Sequence, residues 1–199
     1  MKRPTLIILA LLTLAASPPL MKLPAAVVIH PNDYFSGWKA EPREASARIS
    51  LELGDTIESA VVEVVPRGDD DRDLAVQYQI ETSMTIMDEG PHIDLVDWKH
   101  YTSDWTDLER IDARRFRMPK IESDYELGSQ FPAYTVDELY EAAMAAGGHR
   151  WADLAREWPR PEDGRVGVGI STVRIRVVAH ESRGMETLFT LHISVPMGC

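Results

Sequence analysis

Acids and histidines are densest between positions 88 and 100, where Asp88-Glu89-Gly90-Pro91-His92-Ile93-Asp94 is followed by Asp97 and His100. Imidazole and carboxylate both ligate metals. His92, Asp94 and His100, with Asp88 or Glu89 as a further ligand or general base, would suit a metal-binding protein or a metal-dependent hydrolase. The spacing matches no zinc signature. Gly90-Pro91 also puts it on a turn, not on one helix face as in H-E-x-x-H. The favoured reading is a solvated turn leaving a strand, with Asp88 satisfying turn amides.

A second acidic run, Asp69-Asp70-Asp71-Arg72-Asp73, alternates carboxylates as calcium loops do. Such loops continue with a glycine and a distal bidentate glutamate. Leu74 and Ala75 follow instead, so a charged hairpin tip is expected. Trp98, Tyr101 and Trp105 are interleaved with Asp94, Asp97, Asp104 and Asp107 and have neither strand nor helix period. Tryptophan and tyrosine anchor interfaces and stack on sugars, so these seven residues are the candidate partner-binding set. Behind them Arg110, Arg114, Arg115 and Arg117 form the one basic island, best explained by pairing with the acids before it. The chain has no G-x-S-x-G, no phosphate-binding glycine loop, no dinucleotide fingerprint and no cysteine before Cys199. No cofactor is expected and no catalytic constellation assembles.

The elements that must carry these residues are mostly strands. Ala47, Ile49, Leu51 and Leu53 alternate with polar residues, Val61–Val65 is short, β-branched and apolar on both faces apart from Glu63, and Leu74 to Ile86 alternates cleanly. That last run predicts a long strand with one packed face and one wet face. Thr135 and Glu138 form a capping box ahead of the stripe Val136, Leu139, Tyr140, Ala143, Met144, and Gly147-Gly148 closes that helix. Trp151, Leu154, Ala155 and Trp158 predict a second helix stopped by Pro159.

The C-terminal strands constrain their own register, because Val173, Ile175 and Val177 must share a face with Phe189, Leu191 and Ile193. A three-residue turn, Ser182-Arg183-Gly184, achieves this and sets Arg174 opposite His192 on the other face. Val166, Val168 and Ile170 have the opposite phase to Val173, so a bulge is expected near Thr172. The fold class is therefore α+β: an antiparallel sheet of about five or six strands, sandwich-like or helix-covered, with a central helical insertion.

At the N-terminus Lys2 and Arg3 precede the apolar run 6–16, too short for a bilayer but suited to a secretory signal peptide cut after Ala16. The expected organisation is signal peptide 1–16, an extended proline-rich leader or edge strand over 17–45, and one domain over 46–199 with a loop and helix insertion at 97–160. The address is periplasmic or secreted in a bacterium, or cytoplasmic should translation start at Met21. Removing 1–16 takes away Lys2 and Arg3 and no acid, so the net charge of −11 becomes −13. That balance excludes a nucleic-acid binder, which needs a basic face. It suits instead a non-catalytic protein that occludes a basic protein partner, as an immunity-type inhibitor does, with no stable membrane insertion. The alternatives are the metal-dependent reading and a carbohydrate-binding module of the cell envelope.

Overall fold

The computed structural model describes residues 23–31, 37–52, 55–69, 71–121, 128–161, 164–182 and 184–197. The expected signal peptide, Asp70, Arg183 and Cys199 lie outside them. Among the described residues strands dominate, with two full helices between them, in keeping with α+β. One antiparallel sheet has the order β2 (Trp38–Ala40), β1 (Ala26–His30), β4 (Val61–Val65), β10 (Arg115–Arg117), β9 (Glu109–Arg110). The other runs β3 (Ser46–Ser50), β12 (Gly184–Ser194), β11 (Val166–Glu181), β5 (Leu74–Met87), β6 (His92–Asp94). There β3 lies parallel to β12, so this sheet is mixed. On β5 the short strands β7 (Tyr101–Thr102) and β8 (Thr106–Asp107) continue the line that β6 begins.

These strands exceed the five or six expected, for two reasons. Residues 97–134, without period, supply four strands of two or three residues, pinned by their partners and not by an alternation of their own. The proline-rich stretch supplies two more. Pro24 and Pro31 bracket β1 without removing an amide from its ladder. Expected as leader or edge, β1 is an interior strand with Val27 and Ile29 fully buried.

Val62, Val64 and Phe116 of the first sheet share one buried cluster with Val76, Ile80, Val173, Ile175, Phe189 and Leu191 of the second. Each such side chain contributes about 1.5–3 kcal/mol on burial. Further along β5 the same face meets helices. Met84, Ile86 and Val166 pack with Leu139 and Ala143 of α1 (Val136–Gly147) and with Ala152 and Ala155 of α2 (His149–Glu157). The capping box forms as expected: the Glu138 amide donates to the Thr135 hydroxyl, and the Thr135 amide donates to the Glu138 carboxylate. Trp158, expected on the apolar stripe of α2, stands at its C-cap and is 39% exposed.

Register is settled by two bulges. The one expected near Thr172 sits at Ser171, where β11 shifts against β5 and its apolar residues change from even to odd positions. In the hairpin the expected pairs Val177–Phe189, Ile175–Leu191 and Arg174–His192 form. The turn, however, is not three residues long: Glu181 pairs with Gly184, leaving two residues between, and the register is corrected by a bulge after Val177. That bulge buries two consecutive residues, Leu188 and Phe189. Gly184 has φ of 130°, backbone that glycine adopts without strain. The second face of β5 is also drier than expected: Gln77, Ser83 and Thr85 are buried, each satisfied by a hydrogen bond to a neighbouring strand, with Asp107, Ser171 and Asp94 respectively. No helix among the described residues is long and apolar enough to cross a membrane.

Candidate functional site

The acids and histidines expected as metal ligands are spread along β5. Asp88 begins the β5–β6 turn and is bound by the guanidinium of Arg150, with Arg165 at 3.6 Å. Its carboxyl is held below the usual range, first by the Glu89 amide and then by Arg150. Glu89 is exposed. His92 Nε2 stands 3.6 Å from Asp94 Oδ2, and Asp94 Oδ1 accepts from Thr85 Oγ1 at 2.8 Å. His100 is elsewhere, 3.8 Å from Glu81. Glu81 lies six residues along β5 from Met87, the partner of His92, a separation of about 20 Å in an extended strand. Among the described residues no three His, Cys, Asp or Glu side chains are grouped to hold a metal ion. In the 69–73 run, Asp73 is paired with Arg110 at 2.9 Å. Arg115 is paired with Asp112 at 2.6 Å, so two arginines of the basic island meet acids, but one of those acids lies just ahead of β5 and the other within the island itself.

The aromatic residues also diverge: the register against β5 slips by one residue between β7 and β8, which turns Tyr101 and Trp105, four residues apart, to opposite faces. Trp105 lies beneath the Arg176 guanidinium, 4.2 Å from ring centroid to Cζ. Tyr101, opposite Thr82, lines a cleft of about 350 Å³ with Tyr78, Asp104 and Lys120. Asp107 accepts from Gln77 Nε2 at 2.7 Å. Trp98 packs into the helical block with Phe131 and Tyr134 at centroid distances of 6.3 and 5.6 Å.

Three of the seven candidate residues do converge. Asp94, Asp97 and Trp98, with Leu95 and Val96, form one wall of a cleft of about 270 Å³; Ala142, Ala145 and Ala146 of α1 form the other. The local sequence explains its shape. Leu95 is buried and its amide donates to Met84 O at 2.8 Å, and Trp98 N closes a turn on Leu95 O at 3.2 Å. The segment is thus pinned at both ends, which leaves Val96 between them 51% exposed. Alanines at i, i+3 and i+4 keep the facing helix surface low. Lys99 ties the far side to α1 by donating to Ala133 O and to Glu138 at 2.8 Å, the latter holding that carboxyl down to about 2. Asp97 is exposed and has no basic partner among the described residues. The product is a shallow apolar slot with acid at its rim.

A polar row on the second face of the larger sheet was only half legible. Arg48 (β3), His192 (β12), Arg174 (β11) and Gln79 (β5) stand side by side across four strands. Arg174 donates to Glu81 Oε2 at 2.5 Å and to Gln79 Oε1 at 3.0 Å, while Arg176 donates to Gln77 at 2.6 Å. Burial, then Arg174 and Arg48, push the His192 imidazole below its ordinary value, against the opposing pull of Glu81. The facing pair Arg174–His192 follows from the hairpin register, but Arg48 needed the parallel pairing of β3 with β12.

Compared with known family models, curated proteins and solved structures, the chain has no match.

Proposed function

We propose that the protein is an exported, non-catalytic binding protein that occludes a basic protein partner, in the manner of an immunity-type inhibitor. One observation carries the reading: Asp94, Asp97 and Trp98, chosen as interface residues for their chemistry, share the apolar slot against α1 with the exposed Val96. An apolar floor with an acidic rim suits a partner segment that offers an aliphatic or aromatic side chain flanked by lysine or arginine. The surplus of acid speeds encounter with such a partner at low salt. Export follows from the 1–16 pattern, and a sandwich-like packing of the two sheets is supported by the buried cluster they share.

The test uses the tagged full chain as bait for the products of neighbouring genes, with candidate partners then titrated one at a time. The expected outcome is a stoichiometric basic partner whose association weakens with salt. Val96→Asp and Asp97→Lys should each weaken it at least tenfold, about 1.4 kcal/mol. If no such partner is captured, or capture ignores both substitutions and salt, the reading fails. A carbohydrate-binding role would rest on Trp105, one face of which is taken by Arg176; glycan binding that Trp105→Ala abolishes would favour it instead.

A further inference from the structure

We infer that the cleft where β1 loses its partner β2, on the outer face of the smaller sheet, is a binding site for a phosphate monoester, held by Arg43 and Arg67. The inference does not rest on the docking reading, and the cleft shares no residue with the slot against α1.

The cleft exists because a proline ends a ladder. Strand β2 pairs with β1 from Trp38, opposite Ile29, to Ala40, opposite Val27. Continuing that register would set Pro42 opposite Ala25, and proline has no amide to donate. The two segments part there, while Ala25 N stays bound on the other side to Val65 O at 2.8 Å. The space so opened is a cleft of about 500 Å³ with Ala25, Ala26 and Val65 in its lining.

Strand alternation explains which side chains face it. Val27 and Val64 join the core that the two sheets share, so Ala26 and Val65, paired with each other, point the opposite way. Lys39 pairs with Val28 and stands on the same outer face, with Glu41 two residues on.

The charge at the cleft runs against that of the chain. Lys39, Arg43 and Arg67 line it with one acid, Glu41, a local surplus of two positive charges in a protein of net charge −11. Glu41 is engaged by Lys39 at 2.7 Å. Its carboxyl is held below the usual range by Lys39 first, with Arg43 adding to the effect. Arg43 and Arg67 are both exposed, and neither has an ion pair among the described residues.

These groups select the ligand. A guanidinium presents its N–H donors as a rigid fork that meets a phosphate group bidentately. Two forks and a surplus of two charges match the dianion that a phosphate monoester forms above its second pKa of about 6. A single carboxylate brings one charge and leaves one guanidinium unmatched. The apolar lining, with Pro42, takes the carbon body of the ester, and Glu41 is the one group there that opposes the anion.

The test is a calorimetric titration of the full chain with phenyl phosphate at neutral pH and fixed ionic strength. The expected result is one site per chain, tighter than for inorganic phosphate, which lacks the ring, and for benzoate, which lacks the second charge. Affinity should fall as pH drops through about 6 and the ligand takes up a proton. Arg43→Gln and Arg67→Gln, at exposed positions, should each lower the affinity at least tenfold with the melting temperature of the free protein unchanged. Glu41→Gln removes the opposing charge and releases Lys39, so it should raise the affinity severalfold, a gain that no misfolded variant mimics. The inference is overturned if phenyl phosphate shows no saturable binding, if benzoate binds as tightly, if either arginine variant keeps the parental affinity, or if Glu41→Gln weakens binding.

Discussion

Thr82 lies on β5 between Ile80, which packs between the sheets, and Met84, which packs under the helices. Its side chain is fully buried, and its hydroxyl has no hydrogen-bond partner among the described residues. A β-branched residue suits the strand, but a buried hydroxyl left unpaired loses its water without replacement, at a cost of about 1–3 kcal/mol. Thr82→Val keeps the shape and removes the polar atom. The expected gain is about 1–2 kcal/mol, which at about 2–4 °C per kcal/mol for a chain of this size raises Tm by about 2–8 °C. Urea unfolding should show a higher midpoint at unchanged slope, because the area exposed on unfolding is the same. One position along, Ser83 Oγ is hydrogen-bonded to Ser171 Oγ at 2.7 Å, so Ser83→Ala should instead lose about 0.5–1.5 kcal/mol. A Thr82→Val protein no more stable than its parent would refute the argument that this hydroxyl is an unmet demand in the core.

Three further outcomes follow from side-chain geometry. Arg174→Met removes the bonds to Gln79 and Glu81 at once and leaves Glu81, whose side chain is 15% exposed, only the weaker contacts of Thr102 and His100; unfolding should show a loss of about 1.5–3 kcal/mol, partly recovered by adding Glu81→Gln. The Glu138 carboxyl is depressed from its ordinary 4.5 to about 2, by Lys99 first and then by the Thr135 amide. Its contribution is therefore whole above pH 4.5 and is lost as pH falls toward 2, and Lys99→Met should flatten Tm against pH across that window. His192 is pushed down by burial, Arg174 and Arg48, so the fold disfavours its imidazolium. Stability from this residue is present above pH 6.5 and is lost as pH falls below it, and an NMR titration of Arg48→Met should move the midpoint back upward.

Much of the fold is written locally. The alternation from Leu74, the capping box at Thr135 and the apolar phase of β11 each act between near neighbours, through side-chain direction or one backbone amide. They settle strand, helix and even the bulge at Ser171 without reference to the rest of the chain. The candidate site was legible to the same extent. Asp94, Asp97 and Trp98 were singled out by chemistry and lie together because one turn carries all three. Tyr101 and Trp105 were singled out equally and went to opposite faces.

What sequence alone determined, then, is what short-range sterics and hydrogen bonding dictate: the main elements, their buried faces and the acidic balance of −11. Tertiary structure alone decided matters of long-range pairing. It made a proline-bracketed segment an interior strand, set β3 parallel to β12 so that Arg48 reached His192, and corrected the hairpin with a bulge instead of a longer turn. It also brought Arg43 and Arg67 to the lip of one cleft that no spacing announces. Such pairings are chosen by the summed burial of whole faces, and no window of neighbouring residues contains that sum.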